Sequence, residues 1–258
     1  IIDKYKLNER TFHSKISKDN VYQNAVLDYR DYFLSSFKTF LKEESHIKGL
    51  ENIKKLHQMA KEGKSTLILG RHVSNFDVPN FCYLMEKSNA LDVFNDIVFI
   101  AGRKLNEEVS LIRFLTSMFP RIVIIPKNED IENAAAINLA AQREIRKLKQ
   151  KGKMILLYPT GTREREWAPE SLKGIRETYN YVKSFDNIIL MNIAGNNLMP
   201  SPNGMLEDEM VKEKIIITFS QVYSSKELIN SLSKDIPEQS DIKQYAVDRI
   251  MDKIRLLD

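Results

Sequence analysis

The sequence predicts an α/β protein with a largely parallel, mixed sheet flanked by helices and preceded by a helical N-terminal arm. Over residues 63–258, short apolar segments of strand length alternate with longer segments of helical periodicity. This alternation is typical of parallel sheets covered by helices. Residues 1–62 carry helical periodicity only, and no linker rich in Pro, Gly or Ser follows them. We therefore expect this arm to dock on the α/β domain.

The composition is that of an ordinary globular protein with a substantial core. The 258 residues are 43% hydrophobic and 29% charged. No apolar run reaches the roughly 18 residues of a transmembrane helix, and we find no secretory signal. The single cysteine, Cys82, cannot form an intramolecular disulfide, which fits a reducing compartment. We expect a cytoplasmic location.

Charge and histidine content narrow the classes of partner. The net charge of +4 is too weak to argue for nucleic acid. It suits an acidic substrate, an acidic carrier protein or an anionic lipid surface. The four histidines and one cysteine show no metal-ligand spacing, so we expect no metal site.

An aromatic stripe marks the N-terminal arm. We expect it to pack against the rest of the protein; the alternative is a lipid-facing surface or a groove for an acyl chain. A second helix is predicted over Leu50–Lys61, between Gly49 and Gly63. The stripe recurs at spacings of three and four, as on one face of a helix, and consists of Tyr22, Val26, Tyr29, Phe33, Phe37 and Phe40.

The α/β domain is predicted to begin with a buried strand over Thr66–Leu69. The later strands are expected at Ile97–Ala101, Ile122–Ile125, Met154–Tyr158, Ile188–Ile193 and Ile215–Phe219. The helices are expected near Asn80–Lys87, Glu107–Met118, Ile131–Lys151 and Ser171–Lys183, with closing helices in Lys226–Leu257 around a turn at Pro237.

The turn after the first strand carries a histidine and a carboxylate. Gly70 ends the strand, the turn contains His72 and Asp77, and Pro79 is expected at the first position of the next helix. In open α/β sheets, active-site residues usually lie in the loops at the carboxyl ends of the strands, where this turn is expected. A carboxylate that holds one imidazole nitrogen leaves the other free to accept a proton, as a general base requires. The alternative is a helix-capping aspartate beside an incidental histidine.

A second polar turn follows the strand that ends at Tyr158. Pro159 and Gly161 form a tight turn, and Arg163 and Arg165 lie just beyond it. Guanidinium groups match phosphate oxygens in a bidentate manner, so two arginines in one turn can hold a phosphate. The alternative is an exposed basic turn that pairs with neighbouring glutamates. Because the histidine turn belongs to the same sheet, we favour the phosphate site.

These motifs resemble those of the glycerophospholipid acyltransferases. His72-Val-Ser-Asn-Phe-Asp77 resembles the His-x4-Asp motif of that family, and Tyr158-Pro-Thr-Gly-Thr-Arg163 is similar to its Phe-Pro-Glu-Gly-Thr-Arg block. Ala101-Gly-Arg-Lys-Leu105 stands in the place of the second block, and Ile188–Pro200 resembles the fourth. All four blocks occur in the family's order.

Within that family, the sequence is most similar to the soluble plastid- and chlamydia-type glycerol-3-phosphate 1-O-acyltransferases. Those enzymes also have a helical N-terminal domain and a small hydroxyl residue at the position of Thr160. Gly161-Thr-Arg163-Glu-Arg165 follows their Gly-x-Arg-x-Arg pattern, and Trp167-Ala-Pro169 matches their Trp-x-Pro. Asn128 stands where they have a histidine, which leaves the acceptor open.

The resemblance implies the roles of the site residues. His72 would be the general base and Asp77 would orient it. Oxyanion donors are not identified, and a groove for the acyl chain is expected among the helices of residues 80–120. The acceptor phosphate would be bound by Lys127, Arg163 and Arg165, with Arg103 as a further cation and Gly161 and Thr162 supporting the turn.

The resemblance also implies the reaction and the partners. A fatty acyl group would pass from acyl carrier protein or acyl-CoA, as co-substrate without a further cofactor, to the 1-hydroxyl of glycerol-3-phosphate. A peripheral contact with the inner face of a membrane is compatible with this reaction. Two alternatives stay open: a lysophosphatidate acyltransferase using the same residues, and a non-catalytic module that binds an anion or a lipid.

Overall fold

A computed structural model of the protein describes residues 15–107, 110–126, 129, 131–232 and 241–258. The predicted α/β class is confirmed, because strands and helices alternate along most of these residues. The predicted turn at Pro237 lies outside the described residues. The strands are β1 (Tyr22–Gln23), β2 (His46–Lys48), β3 (Thr66–Gly70), β4 (Ile97–Gly102), β5 (Arg121–Ile124), β6 (Met154–Leu157), β7 (Asn187–Ala194), β8 (Leu198–Met199), β9 (Glu209–Met210), β10 (Ile216–Phe219) and β11 (Tyr223–Ser224). The helices are α1 (Leu27–Phe37), α2 (Leu50–Lys61), α3 (Asp77–Lys87), α4 (Leu91–Phe94), α5 (Lys104–Glu107), α6 (Ser110–Ser117), α7 (Ala134–Gln150), α8 (Thr178–Ser184), α9 (Ser225–Leu232) and α10 (Ile242–Arg255).

The chain forms two compact units. Unit 1 consists of the described residues of Ile1–Arg30 and Val98–Lys147, and unit 2 of those of Asp31–Ile97 and Leu148–Asp258. The boundary that the sequence predicts after residue 62 falls within unit 2, in the turn between α2 and β3.

Unit 2 contains a mixed, mostly parallel sheet in the order β6-β3-β7-β10-β2. β3 lies between β6 and β7 and pairs in parallel with both. β10 runs antiparallel to β7 and parallel to β2. In this register Leu69 is opposite Leu157 and Gly70 is opposite Met191, so β3 and β6 end at the same edge of the sheet.

The centre of this sheet is buried on both faces. Every residue of β3 is buried, as are Ile188 to Ile193 of β7. Such continuous apolar strands are typical of parallel sheets whose two faces are covered. α2 packs against β3 and β7, and α9 and α10 pack against β7. α3 is also largely buried, and its Cys82 has no exposed surface.

Unit 1 contains β1, β5 and β4 in that order. β5 runs parallel to β4 and antiparallel to β1. The ring of Tyr29 packs on that of Phe114, with 5.5 Å between their centroids. Within the range of the helix predicted near Glu107–Met118, the structure describes α6, and α5 ends at Glu107.

Part of the aromatic stripe packs beneath the histidine turn of unit 2, as predicted. The centroid of the Phe76 ring lies 5.1 Å from that of Phe37 and 6.2 Å from those of Phe33 and Phe40. Phe37 has no exposed surface. The described part of the N-terminal segment also contains β1 and β2, which helical periodicity does not predict because their partners come from distant parts of the chain.

The predicted helix over Ser171–Lys183 is shorter in the structure. A short 3₁₀ helix covers Pro169–Leu172, and α8 begins only at Thr178. Gly174 lies between them, where a Cβ atom would be 2.3 Å from Cγ1 of Val247 on α10. The close approach of α10 thus requires glycine at this position.

Gly195 turns the chain out of β7, and we predict that alanine there destabilises the protein strongly. Its φ of +86° is left-handed, and a Cβ would lie 2.0 Å from the backbone oxygen of Lys214. Gly63 is the matched control, because its φ is +84° but a Cβ there would meet nothing within 4 Å. We expect Gly63→Ala to cost about 1–2 kcal/mol and Gly195→Ala about 3 kcal/mol or more in urea unfolding. Equal losses of unfolding free energy in the two variants would show that the Lys214 carbonyl does not crowd position 195.

A cluster at the opposite edge of the sheet should make stability depend on acid pH. Partial burial raises the pKa of Asp96, but hydrogen bonds from Lys153, Lys61 and His57 outweigh it, so the pKa lies below its ordinary value. A lowered folded-state pKa stabilises the protein above the unfolded pKa of about 3.8, and this contribution disappears as the pH falls further.

We therefore predict that Asp96→Asn lowers the free energy of unfolding at pH 7 by about 1 kcal/mol. The difference from wild type should shrink below about pH 4, because the carboxyl group of Asp96 then takes up a proton in the unfolded state while it stays ionised in the folded state. Urea unfolding at pH 7 and at pH 3.5 measures this, with Asp92→Asn on the exposed surface as the control. A difference that does not change with pH would contradict the assignment.

Candidate active site

The turn after β3 holds His72 and Asp77 in direct contact. Nδ1 of His72 lies 2.7 Å from Oδ2 of Asp77. The Asp77 carboxylate is 1% exposed, whereas the imidazole is 15% exposed. Because Nδ1–H donates to the carboxylate, Nε2 keeps its lone pair and can accept a proton from a bound group.

The backbone of the turn also binds the buried carboxylate. The N–H groups of Val73 and Ser74 donate to Asp77 at 2.8 and 3.1 Å, and the hydroxyl of Ser74 accepts from the N–H of Phe76 at 2.8 Å. All of these donors are outside the helix, so Asp77 does not act as a helix cap. The turn is instead folded around this side chain.

α3 begins two residues earlier than the sequence predicts. Asp77 is its first residue, and Pro79 therefore lies at the third position and not at the first. Proline is tolerated there because the N–H groups of the first turn have no acceptor within the helix. The earlier start places Asp77 on the buried side of the helix, facing the His72 ring.

Tyr158 fixes the plane of the imidazole. Its ring is stacked on that of His72, with centroids 4.3 Å apart and an angle of 17° between the planes. A Cβ at Gly70 would lie 3.1 Å from Cε1 of Tyr158 and 2.6 Å from Cε of Met191, so a larger residue there would displace the Met191 side chain and crowd the Tyr158 ring. Burial, and secondarily the charge of Asp77, raise the pKa of the Tyr158 hydroxyl well above its usual value.

The arginine turn follows β6 at the same edge of the sheet. Gly161 adopts a left-handed φ of +64° and its N–H donates to the carbonyl of Tyr158 at 3.0 Å. The hydroxyl of Thr160 donates to the carbonyl of Thr162 at 2.6 Å. Ile175 packs over the turn, where a Cβ on Gly161 would lie 2.4 Å from its Cδ1. Hydrogen bonds within the turn and the packing of Ile175 on it therefore both stabilise its conformation.

The two arginines of this turn differ in their partners. Arg163 is buried and pairs with the buried carboxylate of Asp208. Nη2 of Arg165 donates to the hydroxyl of Thr162 at 3.2 Å, whereas its Nε is buried and has no hydrogen-bond partner among the described residues. The neighbouring glutamates of the sequence do not pair with them. No carboxylate among the described residues thus pairs with Arg165, in contrast to Arg163.

Glu164 connects the two turns. Its N–H donates to the carbonyl of His72 at 2.8 Å. Its buried carboxylate accepts from Nε of Arg71 at 2.7 Å and from Nη2 of Arg255 at 2.8 Å. Glu164, Arg71, Arg255 and Asp208 are not among the site residues predicted from the sequence. Asp208 and Arg255 are distant in sequence, and no local pattern points to them.

The remaining predicted residues are Arg103 and Lys127. Arg103, in unit 1, donates from Nη1 to Glu107 at 2.5 Å and from Nε to Glu129 at 2.9 Å. Its guanidinium group is therefore bound by two carboxylates. Lys127 lies outside the described residues, as does Asn128.

Two further observations concern metals and membranes. Among the residues that the structure describes, no group of three or more His, Cys, Asp or Glu side chains is arranged to hold a metal ion. None of the helices in the described ranges is long and apolar enough to cross a bilayer.

We predict that Tyr158→Phe stabilises the protein. The Tyr158 hydroxyl is buried without a hydrogen-bond partner among the described residues, and leaving such a group unpaired costs about 1–3 kcal/mol. Its removal should raise the free energy of unfolding by about 1 kcal/mol and preserve the stacking on His72. Urea unfolding measures this, with Tyr179→Phe as the half-buried control. A loss of stability would show that the hydroxyl is bound in the native protein.

Comparisons with known proteins show the family to which this chain belongs. A family model described as Acyltransferase matches residues 44–216. A search of curated proteins gives no match. Among solved structures, the chain is similar to the 1-acyl-sn-glycerophosphate (LPA) acyltransferase PlsC from Thermotoga maritima, with a TM-score of 0.45 and 16% identity over 88% of this chain and 81% of that one. Because the family match spans well over half of the sequence and includes both polar turns, the chain belongs to the acyltransferase family.

Proposed function

We propose that the protein transfers a fatty acyl group from acyl carrier protein or acyl-CoA to the 1-hydroxyl of glycerol-3-phosphate. The observation that carries this proposal is the direct link between a base and a cationic turn. His72, paired with Asp77, is joined through its carbonyl to the N–H of Glu164, which lies between Arg163 and Arg165. A proton acceptor beside an anion-binding turn suits a substrate that carries both a hydroxyl and a phosphate.

The chemistry begins at Nε2 of His72. An alcohol is a weak nucleophile near neutral pH, so His72 removes its proton as the oxygen attacks the thioester carbonyl. Asp77 accepts from Nδ1–H and stabilises the imidazolium that forms. When the tetrahedral intermediate collapses, the thiolate leaves and takes the proton from His72. An alcohol and a thioester thus give an ester and a thiol, and the base returns to its neutral form.

The phosphate would be bound by the arginine turn. Arg165 offers a buried Nε without a partner among the described residues, and Arg163 has further N–H groups beyond the one that binds Asp208. Lys127 is the additional ligand that the family resemblance implies. Fixing the phosphate would orient the hydroxyl towards His72 and convert a bimolecular encounter into an intramolecular one.

The test is an acyl-transfer assay with palmitoyl carrier protein or palmitoyl-CoA and radiolabelled glycerol-3-phosphate. We expect the wild type to form lysophosphatidate and His72→Ala to lose at least ~100-fold in kcat/KM, since a positioned general base contributes about 10²–10⁴. His46→Ala is the matched control, because the His46 side chain is exposed and, among the described residues, hydrogen-bonds only to the carbonyl of Glu44.

Other outcomes identify the alternatives. If the wild type acylates lysophosphatidate and not glycerol-3-phosphate, the mechanism holds and the acceptor is wrong. If folded wild type binds a phosphate acceptor but transfers no acyl group to either one, the protein is a binding module. Full activity of His72→Ala would exclude His72 as the base.

A further inference from the structure

Glu164 is a buried carboxylate at the junction of three segments. Its side chain is 5% exposed and accepts hydrogen bonds from Arg71, which precedes His72, and from Arg255 at the end of α10. Nη2 of Arg255 also donates to the carbonyl of Leu172, in the segment after the arginine turn. These contacts tie the histidine turn, the arginine turn and the last helix to one group.

The energetics indicate that this group serves more than stability. Burying a carboxylate among two guanidinium groups costs desolvation free energy, and apolar residues of similar volume often stabilise a core at least as well. The Arg71 and Arg255 side chains are 30% and 29% exposed, so solvent also weakens the attraction. The group formed by Glu164, Arg71 and Arg255 instead fixes orientation, because planar guanidinium groups and a carboxylate constrain each other's position.

These contacts fix the position of the histidine turn relative to the arginine turn, and the proposed reaction needs both. Glu164 directs its side chain to Arg71 and Arg255, whereas its neighbours Arg163 and Arg165 bind Asp208 and Thr162. The N–H of Glu164 meanwhile binds the carbonyl of His72 at 2.8 Å. The separation between the imidazole and the arginines therefore depends on the conformation of this one residue.

We propose that Glu164 is a positioning residue, which holds the His72 turn at a fixed distance from the anion-binding arginines through Arg71, Arg255 and the His72 carbonyl. The catalytic meaning of this role rests on the proposed function. The amide group of Gln has nearly the shape of the carboxylate, but it is uncharged and has one acceptor oxygen, whereas Arg71 and Arg255 bind different oxygens of Glu164. Glu164→Gln should therefore loosen the link between the turns and leave the sheet intact.

The first measurement is hydrogen–deuterium exchange of the full chain, which does not depend on activity. Glu164→Gln should speed exchange in the turn over residues 71–77, although that turn is remote in sequence, and leave the buried strand β3 unchanged. Glu166→Gln is the matched control, since it removes the same charge from an exposed glutamate two residues away. Unchanged exchange at residues 71–77, or an equal increase in β3, would overturn the proposal.

The second measurement is the kinetics of acyl transfer. A displacement of the reacting groups by about 1 Å can cost on the order of 100-fold, so we expect Glu164→Gln to lose 10- to 100-fold in kcat/KM and to raise KM for the phosphate acceptor. A merely structural role would lower kcat with the folded fraction and leave KM unchanged, and that result refutes positioning.

Arg255→Lys provides a second variant in case Glu164→Gln folds poorly. Lysine keeps the charge but not the planar N–H groups that bind Glu164 and the carbonyl of Leu172 together, so it should produce the same changes in smaller measure. Wild-type exchange and KM in this variant would count against the proposal. If the wild type acylates neither acceptor while the exchange results are as expected, the proposed function fails and the positioning of the turn by Glu164 stands.

Discussion

The buried carboxylate of Asp77 is the interaction on which the arrangement of the site depends. It accepts hydrogen bonds from the imidazole of His72 and from the N–H groups of Val73 and Ser74. A buried carboxylate needs this many donors, because an unpaired charge in the interior is very unfavourable. The turn must therefore curl around Asp77, and the same curl aims the free Nε2 of His72 away from it. Folding and proton acceptance are satisfied by one set of bonds.

The rest of unit 2 supports that turn from several sides. Phe76, inside the turn, packs against the aromatic face of the N-terminal helix, and Tyr158 stacks on the imidazole from β6. Glu164 contacts the turn through its backbone and through Arg71. These supports come from parts of the chain before, after and far beyond the turn. The apolar ones resist displacement in any direction, whereas the ionic ones select an orientation.

The sequence predicts more of the secondary structure of this protein than of the side-chain contacts in its site. Apolar runs such as Thr66–Leu69 locate the strands, because continuous burial leaves an unmistakable local pattern. The contact between His72 and Asp77 can also be predicted from the sequence, since both residues belong to one short turn. The partner of Arg163 is not, because Asp208 approaches only after the chain has passed through β7 and β8. The start of α3 is missed because Pro79 fits any position of a first turn.

The buried thiol of Cys82 can report on local opening of α3. The residue is on the helix that Asp77 begins and has no exposed surface, and it is the only cysteine in the sequence. A thiol reagent can reach it only when the protein opens locally around α3, so the rate of alkylation measures how often that opening occurs. Labelling the unmodified protein thus gives the local opening free energy of the element that carries the carboxylate, without a single substitution.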